Sequence, residues 1–205
     1  DMEGIALSVE YLDDELEKYW CAPCDTASFR KGDSSVAKGE RKVYADLSEQ
    51  VDSFEAGSEA SDAAADYIVD AFGRMKQAIA DAEDELAKID GVAGDGDHGR
   101  GMVKGSTFAF EAAKAAREKG AAAGSVLREA GKAWAAKAGG TSGVLWGSAL
   151  EAAGAVVGDQ AEGYDAKVAA DAVRAAYEKM LSLGGAHRGD KTMLDCLIPF
   201  GEALE

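Results

Sequence analysis

From about residue 61 onward, long stretches without helix breakers alternate with short glycine-rich segments, a pattern that restricts the fold to packed helices. The first stretch places apolar side chains at three- and four-residue steps, with one seven-residue step, which gives a helix one apolar face. These side chains are Ile68, Phe72, Met75, Ile79, Leu86 and Ile89. Ser61 precedes them as a candidate N-cap. Only two prolines occur in 205 residues and alanine supplies much of the 47% apolar content, so we predict an all-α domain.

The same periodicity predicts four further helices and the start of another. They cover 101–119, 125–138, 144–157 and 165–183, and the last begins near residue 192. Glycine-rich breaks at 90–101, 139–143 and 184–191 separate these stretches. Short links favour antiparallel neighbours, so we expect an up-and-down helical bundle or barrel. Two helices lie between successive breaks, and all three breaks should therefore meet at one end.

Residues 1–58 have a different composition. GIALSVEYL alternates apolar and polar residues and predicts a strand, and DDELEKYW predicts a helical turn. One strand and one turn cannot fold alone, so we interpret 1–30 as a short strand-containing tail, the C-terminal remnant of a preceding domain. Residues 31–58 have linker composition, and 59–205 form the helical domain. A leading aspartate without a signal-peptide pattern indicates an internal fragment of a longer protein.

The net charge of −16 argues against nucleic acid and anionic membranes as partners, because both require basic surfaces. No apolar run approaches the roughly 20 residues that span a bilayer. Three cysteines, an odd number, fit a reducing cytoplasm better than a disulfide scaffold. Cys21 and Cys24 form a C-x-x-C pair, but no second pair or histidine lies nearby, so we interpret them as incidental small residues.

The segment DGVAGDGDHG, residues 90–99, concentrates acidic side chains on a flexible backbone. Asp90, Asp95 and Asp97 supply three carboxylates, which repel one another unless a cation binds. Mg²⁺ prefers such oxygen ligands and commonly binds phosphates at the same time. The segment leads into a helix whose first N–H groups favour anions. The alternatives are a solvated acidic turn or a calcium loop, although the EF-hand spacing is absent.

Two further segments carry candidate polar groups. His98 follows the acidic segment directly and could donate to a phosphate oxygen. AGGTSG offers Thr141, Ser142 and backbone N–H groups at a helix start, where either anion binding or simple packing would explain the glycines. Arg100 in the first segment and Lys191 in GDKTM are candidates for charge neutralisation, or equally solvated surface charges.

Three segments, taken in order, carry a family resemblance: GDGDHG with an aspartate five residues before Asp95, then GG-small-SG, then GDKTMLD. Over roughly 60–205 the sequence resembles the nucleotide-binding domain of dihydroxyacetone kinases. The opening GIALSVEYLDDELEKYWCAPCDT resembles the end of the substrate-binding domain of single-chain, ATP-dependent members. The resemblance implies an all-α barrel of eight amphipathic antiparallel helices with ATP or ADP across one end. It also implies two Mg²⁺ ions on Asp90, Asp95 and Asp97. The nucleotide contacts that it implies are His98, Gly99, Arg100, Gly101, Thr141, Ser142, Gly184 and Met193.

The sequence departs from the family pattern at several points. Gly101 stands where many relatives have asparagine, and Thr141 where alanine is frequent. The family domain continues for several tens of residues, with an Asp-Pro-Gly loop that completes the nucleotide pocket. The resemblance implies that this sequence carries only the tail of the ketose-binding domain, whose histidine holds the substrate covalently in the family. We therefore expect the Mg-ATP-binding part of a kinase for dihydroxyacetone or another short ketose, inactive without a ketose-binding domain of the same or a partner chain.

Three other functions stay open at this point. A related helical domain carries ADP in phosphotransferase-system dihydroxyacetone kinases, although those subunits begin directly at the helical domain. A similar domain occurs in fatty-acid kinases, which usually lack the preceding tail. The chain could also be a non-catalytic Mg-nucleotide-binding module.

Overall fold

The computed structural model describes residues 10–27, 30–31 and 53–204. Within these ranges the regular structure consists of eight helices and an isolated antiparallel bridge between Asp25 and Arg30, with no sheet. The all-α prediction is confirmed. The chain divides into two compact units, Asp1–Gln50 and Val51–Glu205. No helix in the described part of the chain has both the length and the hydropathy that a membrane span requires.

The first unit contains one described helix, α1 (Asp14–Cys21), which confirms the predicted helical turn. The Asp13 carboxylate caps it by accepting the N–H groups of Glu15, at 3.1 Å, and Leu16, at 2.8 Å. At the other end, the Lys31 ammonium donates to the carbonyls of Trp20 and Ala22. The predicted strand over 4–12 lies mostly outside the described residues, and residues 10–12 are not in a strand.

The second unit is a bundle of seven described helices. They are α2 (Glu59–Asp81), α3 (Glu83–Asp90), α4 (His98–Glu118), α5 (Ala123–Lys137), α6 (Gly140–Val157), α7 (Ala166–Gly184) and α8 (Leu194–Leu204). Helix α4 packs against α2, α3 and α5, and α5 also contacts α2 and α6. Helix α7 packs between α6 and α8. The order along the chain is largely the order in space.

Helix α2 begins and ends differently from the prediction. Its N-cap is Ser58, whose hydroxyl accepts the N–H of Ser61 at 3.1 Å, so Ser61 is not the cap. The single helix predicted up to the acidic segment breaks at Ala82, within the gap between Ile79 and Leu86 in the apolar pattern. That gap leaves one turn without an inward apolar side chain, and α3 starts there as a separate helix.

The core between helices is built largely from alanine. Ala65, Ala109, Ala113 and Ala130 have no exposed surface and lie in one cluster with Trp134. A second cluster joins α6, α7 and α8 around Met180. Small side chains let helix axes approach closely, which explains how a chain with 7% aromatic residues fills its interior.

Helices α5 and α6 contact each other through pairs of glycines. Gly124 faces Gly154, and Gly131 faces Gly147, which is an antiparallel register with seven-residue spacing on both helices. A β-carbon at Gly131 would lie 2.6 Å from the Gly147 carbonyl oxygen, and one at Gly147 would lie 2.5 Å from that of Gly131. Backbone therefore touches backbone, and the register brings the start of α6 beside the end of α5.

The distal end of the bundle, where α2 and α5 begin and residues 158–165 connect α6 to α7, is closed by buried hydrogen bonds. The Ser61 hydroxyl has no exposed surface and accepts from the Ala123 N–H at 3.1 Å and the Tyr164 hydroxyl at 3.0 Å. The Arg117 guanidinium near the end of α4 pairs with Asp66 of α2 at 2.6 Å. Successive long helices thus alternate in direction, as the up-and-down prediction requires.

Asp159 belongs to the same distal end. Its carboxylate accepts the N–H and hydroxyl of Ser125, both at 2.8 Å, and pairs with the Arg128 guanidinium at 2.6 Å. Burial by itself would raise the pKa of Asp159, but these hydrogen bonds and the Arg128 charge outweigh burial and lower that pKa below its ordinary value. The carboxylate is therefore ionised at neutral pH and fixes the start of α5.

Candidate functional site

The acidic loop, residues 90–97, connects α3 to α4 at the end of the bundle opposite the distal end. Asp90 is the last residue of α3 and Asp97 is the N-cap residue of α4. One carboxylate oxygen from each of Asp90, Asp95 and Asp97 lies within 4.8 Å of the others. Asp90 is half-buried, and the other two are exposed. The structure therefore brings together the three aspartates that the sequence predicts as metal ligands.

Two glycines in the acidic loop explain how the backbone brings the carboxylates together. Gly96 has φ of 77°, a left-handed conformation that side chains other than glycine rarely adopt. A β-carbon at Gly94 would lie 2.5 Å from the Asp90 Oδ1 atom. The Asp90 carbonyl accepts the N–H groups of Ala93, at 3.1 Å, and Gly94, at 2.6 Å. The loop thus turns tightly around Asp90.

The start of α4 is fixed against α3 at Gly99. A β-carbon at this buried residue would lie 2.2 Å from the Glu83 carbonyl oxygen, so no larger residue fits without separating the helices. The adjacent His98 N–H donates to the Asp90 Oδ2 atom at 3.3 Å. Gly99 therefore has a packing role that the sequence does not reveal, and its predicted contact with a nucleotide stays a prediction.

The donor set suits a hard divalent cation. Mg²⁺ binds oxygen at about 2.0–2.1 Å, so ligands on opposite sides of one ion lie about 4.2 Å apart. Carboxylate oxygens within 4.8 Å reach such a distance through small side-chain rotations. Among the described residues no lysine or arginine forms an ion pair with these three aspartates, and the N-terminus of α4 supplies an N–H donor to Asp90. The residues present fit a bound magnesium ion.

A cavity of about 140 Å³ lies beside Asp97, between the first turns of α4 and α6. Its walls include Asp97, His98 and Gly101 on one side and Gly139, Gly140 and Ser142 on the other. Both helices direct the free N–H groups of their first turn toward this end, which favours an anion. This volume holds several water molecules and therefore accommodates a group the size of phosphate.

Trp134 and Met102 also line the cavity. The Trp134 side chain is 3% exposed, and its indole N–H has no hydrogen-bond partner in the part of the chain that the structure describes. Its ring packs against that of Trp146, with centroids 6.4 Å apart. The sequence indicates Trp134 only as an apolar core residue. A tryptophan five residues before the second glycine-rich break is the signal that could have indicated its place at the cavity.

The second glycine-rich break is shorter than predicted. Helix α6 begins at Gly140 instead of Val144, so Thr141 and Ser142 belong to its first turn. Gly139 and Gly140 have φ of 78° and 64°, which only glycine adopts readily, and they reverse the chain between α5 and α6. Ser142 lines the cavity, whereas Thr141 is exposed and does not.

The third break, the α7–α8 loop of residues 185–193, lies at the same end of the bundle. A β-carbon at Gly184 would lie 3.5 Å from the Leu145 side chain near the start of α6. Met193 packs in one cluster with Leu145 and Trp146. Neither Gly184 nor Met193 lines the cavity, and neither does the exposed Arg100. The expected convergence of the three breaks is thus present, with the first two in direct contact around the cavity.

Comparisons with known proteins agree with this architecture. Residues 92–205 match the family model of the DAK2 domain. A D-erythrulose kinase from Mycolicibacterium smegmatis is 54% identical over 209 residues, covering 100% of this chain and 36% of that protein. An L-erythrulose 1-kinase from the same organism is 46% identical, covering 100% and 35%. An L-erythrulose kinase from Pectobacterium atrosepticum is 42% identical, covering 100% and 34%. The chain spans about a third of the length of these relatives.

The fold also matches solved structures. The dihydroxyacetone kinase of C. freundii in its native form superposes with a TM-score of 0.55 at 23% identity, covering 94% of this chain and 33% of that protein. The same enzyme in complex with AMP-PNP and Mg²⁺ gives a TM-score of 0.54, with the same coverage. At this level of identity the match establishes a shared fold.

Proposed function

The chain belongs to the DAK2 domain family, and on this basis we propose that its helical unit binds ATP with Mg²⁺ as the phosphoryl-donor part of a short-ketose kinase. The observation that carries the proposal is the group of three carboxylates beside a cavity between two helix N-termini. Carboxylates alone would repel a nucleotide, and free N–H groups alone would not select a metal complex. Together they suit a phosphate chain that carries a divalent cation.

Asp90, Asp95 and Asp97 would hold the magnesium, with two ions as the number that we propose. When bound, the metal supplies positive charge that offsets the charge on the β- and γ-phosphates. The first turns of α4 and α6 would orient the phosphates through the N–H groups of Gly99 and Arg100 and through Ser142. Gly101, whose N–H already donates to the Asp97 carbonyl, would contribute a wall without a side chain that lets the phosphates approach closely. His98 and Thr141 would donate from the same two turns.

Gly184 and Met193, from the third break, would contact the remainder of the nucleotide. Positioning and charge neutralisation are the main requirements of phosphoryl transfer. The protein groups named here supply both without a covalent intermediate.

The relatives favour erythrulose, a four-carbon ketose, as the acceptor, and dihydroxyacetone is the shorter alternative. We assign ketose binding to a further domain of the same or a partner chain. The relatives align with the whole of this chain, including residues 1–58, which supports a fused kinase over a separate ADP-carrier subunit. We place this activity in the cytoplasm, where the free Cys21, Cys24 and Cys196 would stay reduced.

The test is a calorimetric titration of the chain with ADP, with and without Mg²⁺. We expect binding that requires the metal, and we expect Asp95→Asn to weaken it at least about tenfold, because loss of a ligand costs at least as much as loss of a supporting residue. Asp84→Asn removes the same charge from an exposed position of α3 and is the matched control. Its affinity should stay within about twofold of the wild type.

Two results would contradict the proposal. The first is binding of equal strength in the absence of Mg²⁺. The second is an Asp95→Asn variant that binds as tightly as Asp84→Asn.

A further inference from the structure

Lys191, in the α7–α8 loop, has an unusual backbone conformation. Its φ is 60°, and it is the one residue other than glycine with positive φ in the described part of the chain. A side chain in this left-handed region clashes with the local backbone, whereas glycine or asparagine would adopt it more easily. Such strain persists only where the surrounding structure enforces it, and it is enriched at functional positions.

The surrounding structure enforces it through Asp195, in the first turn of α8. The Asp195 carboxylate accepts the N–H of Gly189 at 2.7 Å and that of Thr192 at 3.1 Å, on either side of Lys191. These backbone hydrogen bonds, with a further one from Lys191 and the charge of Arg188, lower the pKa of Asp195. The carboxylate is therefore ionised at neutral pH and holds the loop around Lys191.

The other charged groups of the loop are already paired. The Asp190 carboxylate accepts the N–H of His187 at 2.7 Å, and the Arg188 guanidinium pairs with Glu202 at 2.8 Å. Lys191 forms no ion pair among the described residues, and its side chain is exposed. This is notable in a chain with 38 acidic and 22 basic residues, because Asp190 adjoins Lys191 and Asp195 lies four residues on. Both carboxylates bind backbone, which leaves the ammonium group free.

The loop lies at the end of the bundle that carries the cavity. Met193, two residues after Lys191, packs with Leu145 and Trp146 of α6. Trp146 packs against Trp134, which lines the cavity. Lys191 therefore begins its flexible four-carbon side chain at the end of the bundle that carries the cavity.

We propose that Lys191 binds the terminal phosphate of the nucleotide, opposite the metal-binding carboxylates. An ammonium group is a compact charge with three donors, which suits a phosphate group with several exposed oxygens. The enforced backbone conformation sets the direction in which the side chain leaves the loop. The inference depends on the proposed function, since it requires that a nucleotide binds at this end.

The test compares Mg²⁺-dependent binding of ADP and of AMP-PNP, a non-hydrolysable ATP analogue, by calorimetry. Lys191→Gly removes the ammonium and also relieves the strain, so its melting temperature should equal or exceed that of the wild type. We expect its affinity for AMP-PNP to fall about tenfold or more, while its affinity for ADP changes less than threefold. Lys191→Arg keeps the charge and should retain most of the AMP-PNP affinity.

The matched control is Lys167→Ala, which removes the same charge at the distal end of α7 and should bind both nucleotides like the wild type. AMP-PNP binding by Lys191→Gly at wild-type strength would overturn the proposal, and so would equal losses for ADP and AMP-PNP. A wild-type chain that binds neither nucleotide would overturn the proposed function as well. If Lys191→Gly binds ADP like the wild type and also keeps the wild-type ratio of AMP-PNP affinity to ADP affinity, only the Lys191 inference is overturned.

Discussion

At the scale of single residues, charge and burial together decide what an aspartate does in this chain. Asp159 is half-buried and its carboxylate is satisfied by Ser125 and Arg128, so it serves the fold. Asp95 and Asp97 are exposed and have no cationic side chain as partner among the described residues. Asp159 thus stabilises the distal end, whereas Asp95 and Asp97 carry negative charge that a bound cation would neutralise.

We predict that Asp159→Asn lowers the free energy of unfolding at pH 7 by about 1–3 kcal/mol, because it removes a charge-assisted hydrogen bond to Arg128. The pKa of Asp159 is lower in the folded chain than in the unfolded chain. The carboxylate therefore contributes its full stability above about pH 4, and this contribution is lost as the pH falls through the folded pKa. Urea unfolding at pH 7 and near pH 3 measures both values.

The control for this prediction is Asp70→Asn, which removes an exposed aspartate that pairs with Arg74 one helical turn away. Exposed pairs of this kind contribute little, so its effect should be below about 0.5 kcal/mol at either pH. A destabilisation by Asp159→Asn that is equally large at pH 3 would contradict the assigned role of its charge.

Sequence reasoning identified the three metal-binding candidates because charge repulsion within a glycine-rich segment is readable without coordinates. Asp90, Asp95 and Asp97 do lie together. It did not identify the packing role of Gly99 against Glu83, or the place of Trp134 at the cavity, because both depend on how one helix approaches another. Such contacts are set by tertiary packing, which the local pattern of a single helix does not contain.

At the scale of helices, the glycine pairs between α5 and α6 determine how closely the two axes approach. We predict that Gly147→Ala lowers the free energy of unfolding by about 1–3 kcal/mol, although alanine is the better helix former by about 1 kcal/mol. The added β-carbon would lie 2.5 Å from both the Ala135 β-carbon and the Gly131 carbonyl oxygen. Chemical denaturation followed by circular dichroism measures the change.

Gly163→Ala is the matched control, since a β-carbon there meets no atom within 4 Å. Its stability should be unchanged or raised by up to about 1 kcal/mol. Equal stability of Gly147→Ala and Gly163→Ala would show that α5 and α6 tolerate a wider separation than the structure contains.

Apolar periodicity predicted six helices in the second unit, and the structure has seven, because the first predicted helix is divided into α2 and α3. Several boundaries also differ. Helix α6 starts at Gly140 because glycines with positive φ end the turn within two residues, whereas glycine-rich composition alone suggested a longer loop. The break at Ala82 coincides with the seven-residue gap in the apolar pattern. Ser61, the predicted N-cap, instead accepts hydrogen bonds from Ala123 and Tyr164, and Ser58 caps α2.

At the scale of the whole molecule, both hydrophobic clusters found among the described residues lie in the second unit, from Phe54 to Ile198. We predict that a chain beginning at Ser53 melts within about 2 °C of the full chain, a difference of less than about 1 kcal/mol for this length. A chain beginning at Glu59 should be less stable by about 1–3 kcal/mol, because it loses the Ser58 cap. It also loses the Ala56 carbonyl that accepts from Gln160.

Thermal melting followed by circular dichroism measures both shortened chains. A large loss of stability on removal of residues 1–52 would contradict the independence of the helical unit. A chain beginning at Glu59 that melts like the one beginning at Ser53 would show that residues 53–58 contribute nothing.

The interlocked glycines of α5 and α6 also limit how this molecule can respond to a ligand. Sliding one helix along the other by a single residue would drive a neighbouring side chain into the facing backbone at Gly124, Gly131, Gly147 and Gly154 together. Shear motion between these two helices is therefore blocked, and the pair moves as one rigid body. Any closure around a ligand at the cavity must therefore leave the α5–α6 pair unchanged and come from other parts of the helical unit.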